Sequence, residues 1–213
     1  MKSRSCNYRF NASGFSLVEL IVAMLITLVI LGVAVATFSS ALASRSREAS
    51  KTDAITSAEA ALNIMSREIG NSGYGLTTNG LVPADSGSNQ LHFRTNIDNS
   101  NFLTDAPGED VTFFCDSCGQ CSDSSTGSVL RYDKNSGLTS GIINRVSRVD
   151  FTYYNYSGIS APVASSTAAA NTGRVNIKLT VCLPNVTGQP RNQTETVSAD
   201  VTLRNSLFMR GQY

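Results

Sequence analysis

The sequence has a single histidine, His92, and charged residues make up only 15% of its 213 positions. A Ser-His-Asp triad would need that histidine, and no nucleophile-elbow pattern marks a reactive serine. Within its candidate strand, between Leu91 and Phe93, we expect a packed or edge histidine. The sequence therefore predicts a protein that is not an enzyme, with no catalytic residue and no cofactor.

Basic residues are also too few to form a patch. The chain has 17 Lys and Arg against 16 Asp and Glu, and Lys2, Arg4 and Arg9 lie in a first stretch, residues 1–14, that contains no acid. The remaining chain has 14 basic and 16 acidic residues, a net charge of about −2 at neutral pH. This balance gives no support for nucleic-acid binding.

A long apolar run follows the basic stretch. Residues 15–38 are almost wholly apolar, and 24 residues in a helix reach roughly 36 Å, enough to cross a bilayer core. One interpretation is an uncleaved signal anchor. A conventional secretory signal fits less well, because the run is too long and ends without a small-residue cleavage site.

One carboxylate interrupts the apolar run. An ionised Glu19 in such a segment costs at least a few kcal/mol unless it finds a partner. Cleavage after Gly14 would create a partner, because the new amino group of Phe15 would lie four residues away, about one helical turn. The pair would form within the chain or between neighbouring subunits.

The string GFSLVEL at residues 14–20 resembles the type IV prepilin processing motif. The resemblance implies that a prepilin peptidase cleaves between Gly14 and Phe15 and methylates the amine of Phe15. It also implies that Glu19 assists filament assembly. Many major pilins have a helix-bending proline where this chain has Ala36, so whether the helix bends there is left open.

The helical pattern continues beyond the apolar run. No Gly or Pro occurs between Val33 and Ile69, and an apolar stripe steps by three and four residues, through Ile55, Ala58, Leu62, Met65 and Ile69. Gly70, Asn71 and Gly73 supply a stop. We predict one helix over residues 15–69, on the order of 80 Å long, whose second half packs under a globular head.

From residue 71 the pattern changes to short alternating segments typical of β-strands. We predict strands at residues 90–94, 111–115, 128–132, 142–144, 149–155, 175–182 and 196–203, and surface loops at 85–88 and 157–172. The predicted fold is α+β and resembles the pilin "lollipop". Its parts are a cleaved leader (1–14), a transmembrane or filament-core helix (15–38), an amphipathic helix (39–70) and a β-rich head (71–213).

Weaker sequence similarities to a known family extend from the end of the predicted helix through the head. The helix exit MSREIGNSGYG at residues 65–75 and the segments VLRY (129–132), NRV (144–146), VDFTYY (149–154) and VTLRN (201–205) resemble PilW-like minor pilins. The resemblance implies a structural subunit with major and minor pilins as partners. It would be held in the inner membrane with its head in the periplasm, and later in the pilus. The alternatives are a J-type pseudopilin of type II secretion and a pilus-borne adhesin.

Five cysteines are present, and Cys6 falls in the expected leader. The remaining four are Cys115, Cys118, Cys121 and Cys182, which allow three pairings. A C-x₂-C-x₂-C run could also bind iron–sulfur or, with Cys182, zinc, or keep redox thiols. The missing nearby fourth cysteine and the exported location favour disulfides and no metal. If all four are oxidised, one of the first three pairs with Cys182.

Overall fold

The computed structural model describes residues 14, 16–99, 103–122, 127–158, 161–188 and 190–210. The predicted leader, apart from Gly14, lies outside the described residues, as does Phe15. Contacts between Cα atoms divide the chain into two compact units, Met1–Ser44 and Arg45–Tyr213. Helix α1 (Leu17–Gly70) contributes residues to both, and each unit is considered by itself.

The first unit contains the apolar part of α1. The helix is long enough and apolar enough to cross a membrane, with a mean hydropathy of 2.8 in its most apolar window. Hydroxyl groups in this segment donate to carbonyls one turn earlier, Thr27 to Ala23 at 2.6 Å and Thr37 to Val33 at 3.0 Å. These bonds satisfy the hydroxyls without water. The helix is uninterrupted through Ala36.

The second half of α1 packs through the predicted stripe. Ala58, Leu62, Met65 and Ile69 are buried, as is Ala61, whereas Ile55 is only half-buried. The small and aliphatic side chains at this spacing form one continuous face. The buried face of this part of α1 thus includes the four C-terminal positions of the stripe.

Two four-stranded antiparallel sheets make up the head. The first has the order β1-β2-β3-β4 and the second β6-β5-β7-β8. Their bounds are β1 Gln90–Arg94, β2 Asp110–Asp116, β3 Ser128–Asp133, β4 Leu138–Asn144, β5 Val146–Asn155, β6 Val163–Ser165, β7 Thr172–Cys182 and β8 Thr194–Thr202. A 3₁₀ turn at Pro83–Asp85 precedes β1, and a short helix α2, Leu207–Arg210, follows β8.

Alternate residues of both sheets and the buried stripe of α1 form one hydrophobic core. Phe93 and Phe113 stack in it with ring centroids 6.0 Å apart, and Phe151 and Tyr153 are also buried. Burying a side chain of this size contributes roughly 1.5–3 kcal/mol. The α+β prediction, a long N-terminal helix followed by a head of antiparallel sheets, is confirmed.

All seven predicted strands are present, but two predicted loops differ from the structure. Residues 157–172 contain β6, which pairs with Tyr153–Asn155 of β5. Its three residues, Val-Ala-Ser, have no alternation that predicts a strand, so the pairing depends on the longer neighbour. The loop at 85–88 begins inside the 3₁₀ turn. Strand β4 also starts four residues earlier than predicted. Its first four residues are exposed, so they lack the alternation of apolar and polar side chains that predicts a half-buried strand.

Met65→Ala should lower the free energy of unfolding by about 2–5 kcal/mol, because it leaves a cavity at a position with no exposed surface. The matched control is Ile64→Ala, which removes an adjacent apolar side chain that is 38% exposed and should change stability much less. Urea unfolding of the detergent-solubilised full-length protein can be followed by tyrosine fluorescence. Equal losses in the two variants would contradict the assignment of the buried face.

Candidate functional site

The first turn of α1 contains the predicted assembly carboxylate. Glu19 lies in that turn, where the unpaired amides and positive dipole end of a helix favour an anion. Gly14 and Ser16 flank the expected cleavage point, and both are exposed and precede the helix. Glu19 follows the expected new N-terminus, Phe15, by four positions in the sequence, and Phe15 lies outside the described residues. The assembly role of Glu19 stays a prediction.

The surface around Glu19 is apolar over several turns. The large aliphatic and aromatic side chains from Leu17 to Phe38 are between 47% and 76% exposed. Glu19 is the only charged residue between Leu17 and Ser44. A contiguous apolar surface of this extent is a sign of a membrane or protein contact, so this segment needs lipid or other apolar helices around it.

Comparison with known proteins yields one match. Residues 9–35 match the family described as "Prokaryotic N-terminal methylation motif". No curated protein and no solved structure matches the chain. The N-terminal segment is a type IV pilin-like prepilin signal. The match supports a type IV pilin- or pseudopilin-like protein, and the signal implies processing by a prepilin peptidase and pilus-related partners.

The match spans the predicted cleavage point, Glu19 and most of the apolar run. The head lies outside it, so its role has to be inferred from its own residues. Together with the apolar helix, the prepilin signal indicates membrane anchoring.

The four cysteines of the head form two disulfides in the structure. Cys115 pairs with Cys118, with Cα atoms 5.8 Å apart, and Cys121 pairs with Cys182, with Cα atoms 5.5 Å apart. The second bond joins the segment after β2 in the first sheet to the end of β7 in the second. Within the described residues no group of three or more His, Cys, Asp or Glu could hold a metal ion. Disulfides persist in oxidising compartments such as the bacterial periplasm.

His92 is a structural residue that fixes the 3₁₀ turn onto β1. Its ring nitrogens lie 2.5 Å from Asp110 Oδ1 and 3.1 Å from Asp85 Oδ2, and Arg94 Nε donates to the other oxygen of Asp110 at 3.0 Å. The Ser86 hydroxyl bonds the backbone of His92 and not its ring. These contacts form a hydrogen-bond network around a buried imidazole, with no serine hydroxyl on the ring, which agrees with the packed histidine expected from the sequence.

Tyr153 holds the same segment from the second sheet. Its hydroxyl donates to the carbonyls of Gly87 at 3.0 Å and Gln90 at 3.2 Å. Burial raises the pKa of the Tyr153 phenol above its usual value. Sequence patterns give no signal for these contacts, because the partners are more than sixty residues apart.

Loss of the Cys121–Cys182 bond should destabilise the head more than loss of the local bond. A bond across 61 residues is worth about 4 kcal/mol in the chain-entropy model, and one across three residues about 2 kcal/mol. Melting of the double variant C121S/C182S should therefore occur at a lower temperature than that of C115S/C118S. Both variants remove one complete bond and leave no unpaired thiol behind, so each controls for the other. The reverse order would contradict the prediction.

Proposed function

We propose that this protein is a PilW-like minor pilin, a structural subunit of the type IV pilus system and not an enzyme. The observation that carries the proposal is the prepilin signal at residues 9–35, together with an apolar segment of α1, residues 17–44, in which Glu19 is the one charged residue. The similarities of residues 65–75 and 129–132 to PilW-like minor pilins favour that subgroup. The protein would act in a priming or tip complex with other major and minor pilins.

In this proposal, processing creates the positively charged partner that the Glu19 carboxylate lacks. Prepilin peptidase cleaves after Gly14 and methylates the amine of Phe15, which keeps its positive charge at neutral pH. The amine then meets a Glu19 carboxylate, either its own or that of a neighbouring subunit. An unpaired carboxylate in an apolar medium is costly, so subunits pack in the register that pairs every carboxylate with an amine.

Before assembly, the exposed apolar segment of α1 would lie in the inner membrane, with the head in the periplasm. In the filament the same apolar side chains would pack against the helices of other subunits. The head then provides contacts at the pilus surface.

The runner-up is a J-type pseudopilin of type II secretion, because the same prepilin signal fits both machines. Deletion of the gene separates them. Loss of surface pili with normal protein secretion supports the minor pilin, and loss of secretion with normal pili supports the pseudopilin.

Glu19→Ala should strongly reduce the amount of subunit recovered in sheared filaments, while the membrane-bound pool and the melting temperature of the head stay unchanged. The reason is that Glu19 lies far along the chain from every residue of the hydrophobic core. Glu59→Ala is the matched control, since Glu59 is an exposed acid on the same helix. Quantitative immunoblotting of filament and membrane fractions is the measurement. Wild-type incorporation of the Glu19 variant would contradict the pairing.

The mature protein should begin at N-methyl-Phe15. Intact-mass spectrometry of protein purified from the native membrane should show loss of residues 1–14 and one added methyl group. In a strain without the prepilin peptidase the full-length mass should return. A mature chain that still carries residues 1–14 in the wild-type strain would contradict the proposed processing.

A further inference from the structure

A cavity of about 470 Å³ lies in the head, beside the C-terminal end of α1. Its wall is formed by Glu68, Asn71, Tyr74, Phe93, Thr95, Ile97, Gly108 and Arg131. The volume lies within the range of small-molecule sites, which combine apolar walls with a few converging polar groups. All of these residues belong to the second compact unit.

Two segments that stood out in the sequence meet at this cavity. Glu68, Asn71 and Tyr74 come from the helix exit at 65–75, and Arg131 comes from the segment 129–132. Arg131 Nε donates to Glu68 Oε2 at 2.8 Å, and the two side chains are 21% and 26% exposed. Residues 63 positions apart are thus joined by an ion pair that lines the cavity.

The ion pair keeps unused hydrogen-bonding capacity. Among the described residues, Glu68 Oε1 accepts no hydrogen bond and the Nη groups of Arg131 donate none. The guanidinium lies beside Gly108, where a Cβ would come within 3.8 Å of Nη2. The pair therefore has an acceptor, Glu68 Oε1, and several donors, the N–H groups of the Arg131 Nη atoms, close to one another.

Gly108 shapes this end of the cavity. Its φ of +89° suits glycine, and its amide donates to Asp133 Oδ2 at 2.8 Å. Burial raises the pKa of Asp133, but hydrogen bonds from the Ser136 hydroxyl and neighbouring amides outweigh that effect and hold the pKa below its usual value. The carboxylate thus stays ionised and fixes the loop that carries Gly108.

The wall also contains aromatic and aliphatic residues. Tyr74 is 49% exposed, Ile97 is 61% exposed and Phe93 is buried. Tyr74 is held by its own carbonyl, which accepts the amide of Asn96 at 2.7 Å. The negative face of an aromatic ring attracts the weakly positive C–H groups of an apolar ligand face.

These features together specify one kind of ligand. Among the described residues, Glu68 and Arg131 are the only charged residues of the wall, and they neutralise each other, so the site favours an uncharged molecule. A pyranose ring has an apolar C–H face for Tyr74 and neighbouring hydroxyls that both donate and accept. One hydroxyl can donate to Glu68 Oε1 while the next accepts from an Nη of Arg131. We propose that this cavity binds a neutral pyranose unit of a saccharide.

The test uses the full-length protein in dodecylphosphocholine micelles, because maltoside detergents would supply a sugar. The probes are the methyl glycosides of glucose, galactose, mannose and N-acetylglucosamine, measured by saturation-transfer NMR and by titration. At least one should bind saturably, in the millimolar range expected for a single small ring. Tyr74→Ala and Arg131→Met should each weaken that binding at least tenfold.

Tyr132→Ala is the matched control. Tyr132 follows Arg131 on β3, so its side chain projects from the opposite face of the sheet, and it does not line the cavity. Removing the Tyr132 side chain should leave the affinity for the methyl glycosides unchanged. Ile97→Trp provides a second variant if Arg131→Met unfolds, since it narrows the cavity from an exposed position and should abolish binding at an unchanged melting temperature.

Absence of saturable binding for all four probes would overturn the proposal. So would binding that survives both Tyr74→Ala and Ile97→Trp, or an equal loss in Tyr132→Ala. The outcome is independent of filament incorporation, because a subunit that fails to bind sugars can still assemble and one that fails to assemble can still bind them.

Discussion

The apolar surface of residues 17–38 is the constraint on which the rest of the protein depends. Side chains from Leu17 to Phe38 are about half exposed or more, and at roughly 25 cal/mol per Å² such a surface in water opposes solubility by many kcal/mol. Lipid or neighbouring helices have to cover it. Lipid and the helices of other subunits are similarly apolar, so the free energy of moving this segment from one to the other can be close to zero. In the function that we propose, the single carboxylate of Glu19 makes one packing register preferable to others.

The head has to remain folded whichever environment surrounds that helix. Its stability comes from a core shared by the second half of α1 and both sheets, and from links between distant segments. Cys121–Cys182 joins the two sheets covalently. His92 bonds the 3₁₀ turn through Asp85, and Tyr153 bonds Gly87 in the segment that follows the turn. These links reduce the number of conformations open to polar loops that contribute little to the core.

The sequence predicted the elements whose signals are local. The helix followed from an unbroken apolar and then amphipathic pattern, and the strands from alternation around residues such as Phe113 and Phe151. β6 was missed because its pairing is imposed by β5. The pairing of the cysteines stayed open in the sequence, since spacing alone allows Cys182 to bond any of three partners. The prepilin signal could be found because it is contiguous, with Glu19 inside it.

The cavity in the head could not be predicted for the opposite reason. Its acid and its base lie on different elements, Glu68 on α1 and Arg131 on β3, and only the tertiary fold brings them within 2.8 Å. In the sequence, neither Glu68 nor Arg131 has a feature that distinguishes it from other charged residues near the end of a helix or strand. Once paired, they cost less to desolvate than either would alone, and the pair tolerates a partly buried position while keeping hydrogen-bonding atoms free. The end of the long helix therefore has two roles, since the turn that terminates α1 also builds one wall of the cavity.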